Sequence, residues 1–145
     1  MEASPPGDAA PILLLSFEDG ARSALATRLG RAGLAFEAVE PTWSRVQAAT
    51  AAREAAVGGK AVGGKAVGGK AVPKVMVVDL SVRPSHARAC VGQLLRRASW
   101  KGCSVVFARA PTEAAERAKA LAEAPGAVFA SGDEEMVRLA KRALA

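Results

Sequence analysis

The chain has 145 residues, half of them apolar, a size that suits one domain with a single core and no staples. Its net charge of +6 invites a nucleic-acid reading, but Lys60, Lys65, Lys70 and Lys74 lie in or beside one repeat, and setting them aside leaves +2. There is no Tyr to stack on bases, no apolar run nears the about 20 residues that cross a bilayer, and "MEASPPGDAAP" lacks the basic start and apolar core of a secretory signal. The expectation is a cytoplasmic protein with no membrane contact and with nucleic acid disfavoured as a partner.

Taken in order, residues 1–10 read as a disordered leader and 11–145 as a single domain. "PILLLSF" is a short apolar run of strand length. "DGARSALATRLGRAG" follows with Ala21, Leu25, Arg28, Leu29 and Ala32 at helical spacing and Gly33 as a C-terminal stop. "LAFEAVE" alternates like a half-buried strand. "TWSRVQAATAAREAA" is a helix with Thr42 placed to cap it and Trp43, Val46 and Ala49 or Thr50 on one face.

"VPKVMVVD" reads as a strand buried on both faces. Pro84 and Ser85 open a third helix, with Ala89, Val91, Leu94 and Leu95 available to the core. "CSVVFA" is a fourth strand, and "PTEAAERAKALAEA" a helix capped by Thr112 and ended by Pro125 and Gly126. "AVFA" is a short fifth strand. "SGDEEMVRLAKRALA" is a last helix with a capping box from Ser131 to Glu134, acids early and Lys141 and Arg142 late, as the helix dipole favours. Five alternations of strand and helix predict an α/β fold, a parallel sheet covered on both faces, with working groups at the carboxyl ends of the strands. Asp79 stands at such an end; an Asp there is equally a cap or turn former.

Cys90 and Cys103 have no metal-ligand spacing and read as buried, reduced thiols. Residues 56–72, "AVGGKAVGGKAVGGKAV", are too short in period to form a solenoid and too Gly-rich for helix or strand, so they read as a basic surface insertion. Gly59, Gly64 and Lys65 match the phosphate-cradling G-x-x-x-x-G-K pattern. Ala66 stands where Ser or Thr should hold magnesium, and neither a strand before nor a helix after is in place.

"PILLLSFEDGARSALATRLGRAGL", "PKVMVVDLSVRP" and "SVVFARA" together resemble the receiver domain of bacterial response regulators, over roughly residues 11–145 apart from the repeat. The resemblance implies a three-layer, flavodoxin-like (CheY-like) fold with strand order 2-1-3-4-5, and it puts Asp79 on the phospho-acceptor position. Receivers in that family hold magnesium with an acidic pair after the first strand and stabilise the phosphoryl group with a Ser or Thr ending the fourth strand and a Lys ending the fifth. Here Ser16 and Phe17 occupy the acidic pair, with Glu18 and Asp19 one step beyond as a weak metal alternative. Arg109 replaces the hydroxyl, with Ala110 after it, and Phe129 or Ala130 stands where the Lys belongs. Pro84 comes one position late.

The reading is therefore a degenerate, non-catalytic pseudo-receiver that needs no cofactor and signals through protein–protein contact. As the family implies, the face of the fourth helix, fifth strand and fifth helix would serve for docking or homodimerisation. Because the third and fourth strands are neighbours in this fold, Arg109 is expected either to pair with Asp79 or to point to solvent. His86 reads as a first-turn surface residue. Trp43 and Trp100 should cover core edges, either becoming a partner anchor if exposed. With no further domain after Ala145, a stand-alone adaptor is expected. Two alternatives remain: a stand-alone receiver phosphorylated on Asp79 by a histidine kinase, with magnesium on Glu18 or Asp19, and a polyanion binder acting through the Lys-rich repeat.

Overall fold

The computed structural model describes residues 10–58 and 72–145. The leader up to residue 9 and most of the repeat, 59–71, lie outside them, so the expectations placed there have no structural counterpart. The elements are β1 (Ile12–Leu15), α1 (Asp19–Arg31), β2 (Phe36–Val39), α2 (Trp43–Gly58), β3 (Val75–Asp79), α3 (Pro84–Leu95), a 3-10 turn (Ala98–Trp100), β4 (Ser104–Ala108), α4 (Ala114–Glu123), β5 (Val128–Phe129) and α5 (Asp133–Leu144). All strand pairs are parallel and the order is β2-β1-β3-β4-β5.

The apolar strands explain the layering. Side chains alternate across a strand, so β1, β3 and β4 must bury two faces. On one face Leu13, Leu15, Met76, Val78, Val105 and Phe107 pack under α2, α3 and α4. On the other, Ile12, Leu14, Val75, Val77, Val106 and Ala108 meet Leu25 and Leu29 of α1 and Met136 and Ala140 of α5. Each helix contributes one stripe to these two half-cores.

α1 ends as the sequence predicts. Gly33 takes φ +78°, Leu34 N–H donates to Leu29 O and Gly33 N–H to Gly30 O, a Schellman motif that satisfies the last carbonyls. Other local readings need correction. α2 runs on to Gly58, two residues past the expected end at Ala56. Its buried stripe is Val46, Thr50 and Arg53; Trp43 lies 39% exposed, while Trp100 is buried. The buried Arg53 guanidinium is hydrogen-bonded there: Glu37 on β2 accepts from its Nε at 2.9 Å and Ala10 O from its Nη2 at 2.8 Å. In α3, Ala87, Cys90 and Val91 face the core and Ala89 faces out. The residue preceding α4 is Glu113, so Thr112 is no cap. At α5 the capping interaction belongs to Glu135, which accepts from Ser131 N–H at 3.0 Å and Ser131 Oγ at 3.2 Å, and Glu134 takes no part in it. The helix begins one residue later than the Ser-first pattern suggests, with Gly132 as N-cap.

Candidate functional site

β1 and β3 pair in register, Leu15 opposite Val78, so the next residues, Ser16 and Asp79, come level at the carboxyl edge. Asp79 pairs across to Ala108 of β4 in turn. All three lie on the strand parity that faces α1 and α5. Both Ser16 and Asp79 are wholly buried. A carboxylate removed from water needs donors, and Asp79 has three hydrogen bonds. Ser16 Oγ donates to Oδ2 at 2.8 Å; Ser81 N–H and Ser81 Oγ donate to Oδ1 at 2.8 and 2.6 Å. The Ser81 pair is an Asx turn, in which a side chain two residues back takes the place of a backbone acceptor.

Arg109 does not reach this carboxylate. Its backbone is left-handed, φ +52°, and its guanidinium turns to Asp133 in the first turn of α5, Nε to Oδ1 at 3.2 Å and Nη2 to Oδ2 at 3.1 Å. Neither expected arrangement, a pair with Asp79 or a side chain in solvent, is found; Arg109 makes a bidentate tie between the β4–α4 loop and α5. The hydrogen bond to Asp133 raises the Arg109 pKa further above its already high usual value, with smaller contributions from the charges of Asp79 and Glu18. The tie is only partly buried, so Arg109→Ala is expected to cost about 1 kcal/mol in chemical denaturation. Arg109→Gly loses the same bonds but gains about 1 kcal/mol by relieving the left-handed backbone, and should come out near neutral. Equal losses in both variants would show that the backbone strain is not a term in the balance.

The acidic pair is also dispersed. Glu18 is exposed at the start of α1, and the exposed Asp19 is bound by Arg22, which also donates to Ser16 O at 2.7 Å. No group of three His, Cys, Asp or Glu that could hold a metal gathers among the described residues. Magnesium needs several oxygen ligands free to turn towards it. Asp79 is wholly buried and Ser16 offers only a neutral hydroxyl already in use as a donor, so this buried pair brings a magnesium ion a single charged ligand and is a poor fit for it. After β5 comes Ala130, fully buried, its N–H bonded to Phe107 O and its carbonyl to Ala110 N–H.

The remaining singled-out residues are accounted for locally. His86 is exposed on the first turn of α3 and makes a T-shaped contact with Phe17, ring planes at 88°, while the Arg83 guanidinium lies over the Phe17 ring at 5.6 Å. Arg97 covers Trp43 at 5.4 Å. Cys90 is buried as expected but Cys103 only half-buried; desolvation pushes the Cys90 thiol up to about 11 and the Cys103 thiol up to about 12, which disfavours the thiolate. Ser81 and Asp133 escaped sequence reasoning because turn closure and Arg direction depend on backbone conformation. The Ser16–Asp79 bond, in contrast, follows from counting register once the strand order is known.

No family model matches the chain, and no curated protein matches it. Solved structures do. One, assigned as a pilus assembly protein (CpaE) of Burkholderia thailandensis, superposes with a TM-score of 0.55 at 15% identity, covering 92% of this chain and 96% of that one. Another, assigned as pilus assembly-related, from Burkholderia pseudomallei, gives 0.60 at 15% identity, covering 99% and 94%. At such identity the likeness shows the fold alone. The chain has a receiver-like, flavodoxin-type α/β fold.

Proposed function

We propose that this chain is a phosphorylation-independent pseudo-receiver that acts as a protein-binding adaptor. The observation carrying this reading is the state of Asp79: a wholly buried carboxylate whose two oxygens already accept from Ser16 and Ser81. An acceptor aspartate must present one oxygen to the incoming phosphorus, with cations to take up the charge of the moving group. Here the guanidinium of Arg109 is committed to Asp133, and the fifth strand leads into Ala130 where receivers place a Lys.

What the fold offers a partner is surface. Of the three large hydrophobics exposed among the described residues, Leu121, 37% exposed, lies on α4 and Val128, 42% exposed, on β5, two of the elements expected to serve for docking. That favours docking, or pairing with a second copy, through α4, β5 and α5. Both structural neighbours carry pilus-assembly names, so a pilus-assembly machine is the first place to seek the partner.

The test is incubation with acetyl phosphate and magnesium followed by intact-mass measurement. The protein is expected to remain unmodified. A phosphoryl mass increase that disappears in Asp79→Asn would overturn the reading in favour of a working receiver.

A further inference from the structure

α1 and α5 lie side by side on the same face of the sheet, and the C-terminal part of α1 and residues 134–141 of α5 border a groove of about 400 Å3. Arg28 and Arg31 line it from α1, Arg138 and Lys141 from α5, with Glu134 as the single acid and Ala32 and Val137 as half-buried apolar positions. Four cations against one acid give the groove +3, more than the +2 left to the whole chain once the four lysines in or beside the repeat are set aside. The positive charge of the fold is therefore concentrated here. Arg28 is partly offset by Glu134 at 3.7 Å and Arg138 by Glu135 at 3.3 Å, both pairs exposed. Arg31 and Lys141 have no ion pair among the described residues. Complementing the two helix dipoles explains cations in each last turn, but not their convergence on one concave strip.

The occupant follows from charge and shape. A second copy would bring another +3 against this one, and like-charged faces repel. An anionic membrane is flat and is held by protruding apolar side chains, whereas none of the exposed large hydrophobics borders this groove. Single-stranded nucleic acid needs aromatic platforms, and no aromatic lines it. A helix laid between two helices fits a shallow groove with small apolar residues in it and charges on both banks. We infer that the α1–α5 groove is the docking site for an acidic amphipathic helix of a partner protein, its apolar edge on Ala32 and Val137 and its carboxylates on Arg31, Arg138 and Lys141. This site stands apart from Asp79 and from the exposed Leu121 and Val128.

The experiment uses the full chain with Lys60, Lys65 and Lys70 changed to Ala, so that the repeat contributes no cations. The probe is a fluorescein-labelled helical peptide of Ala, Leu and Glu with Leu at i, i+3 and i+4, followed by anisotropy. Binding is expected, weakening with added salt and at least about tenfold in Arg31→Glu/Lys141→Glu. A scrambled peptide of the same composition should bind at least about tenfold more weakly, since it presents no continuous apolar edge. Lys74→Glu/Lys101→Glu, elsewhere on the surface, should bind as the parent does. Arg31→Gln/Lys141→Gln, which only neutralises, should fall between, and circular dichroism of every variant checks the fold. No binding at low salt, equal binding by the scrambled peptide, or no loss in the Glu pair overturns the inference. Tighter binding to phosphatidylglycerol vesicles or duplex DNA, lost in the same pair, also overturns it and assigns the groove to that polyanion.

Discussion

Asp79→Ala is expected to lower the unfolding free energy by about 2–3 kcal/mol, and Asp79→Asn to change it by less than about 1 kcal/mol, both read from denaturant midpoints at unchanged slope. The asymmetry comes from the donors. Ser81 is exposed, so its N–H and hydroxyl recover water when the carboxylate goes. Ser16 is fully buried, and its remaining acceptor, Glu18 O, is 3.4 Å away. A stranded buried hydroxyl costs about 1–3 kcal/mol, to which the lost Asx turn adds. Against this stands the relief of not burying a charge. Asn removes the charge and keeps the contacts: its carbonyl can still accept from Ser81, and the Ser16 hydroxyl can rotate to accept from the new amide. An Ala variant as stable as the parent would mean that the carboxylate contributes nothing net to the fold. A residue retained for chemistry behaves that way, and the pseudo-receiver reading would then lose its support.

The fold was legible because its determinants are local or periodic. "VMVVD" is a short, β-branched apolar run of strand length, and Gly33 supplies the left-handed residue that α1 needs to stop. The strand order rested on resemblance to receivers, since periodicity cannot distinguish one parallel order from another. The site was legible in part. Asp79 at the end of β3 and the departures at Ser16, Arg109 and Ala130 follow from aligned strand ends. The direction of Arg109 does not, because it is decided by a left-handed backbone and by an Asp 24 residues later, at the start of a different helix. Caps were misplaced for a related reason. Ser131 and Glu134 have the spacing of a box, but α5 starts at Asp133, and that shift hands the interaction to Glu135.

The other large effect is expected at Phe107, which links the core to the face offered for docking. Phe107 is wholly buried on β4, in the half-core under α2, α3 and α4. Its ring stacks on Phe129 of β5, centroids 5.7 Å apart and planes at 24°, and Arg117 of α4 sits over Phe129 at 4.9 Å. β5 has only two residues, so side-chain packing contributes much of what holds it to the sheet. Phe107→Ala removes a large buried side chain from a strand fixed on both sides, where the walls cannot collapse inward. The cost should be about 3–5 kcal/mol, enough to lower the melting temperature by roughly 10 °C in a domain of this size. Phe129→Ala, at a half-buried edge position, should cost less in global stability, because β5 can loosen without opening the centre of the sheet. It should instead speed hydrogen exchange at Ala130 N–H, which bonds to Phe107 O, and abolish the Arg117–ring contact. If Phe129→Ala leaves that amide as protected as in the parent, β5 is held by its backbone bonds alone. The stack would then have no part in presenting Val128.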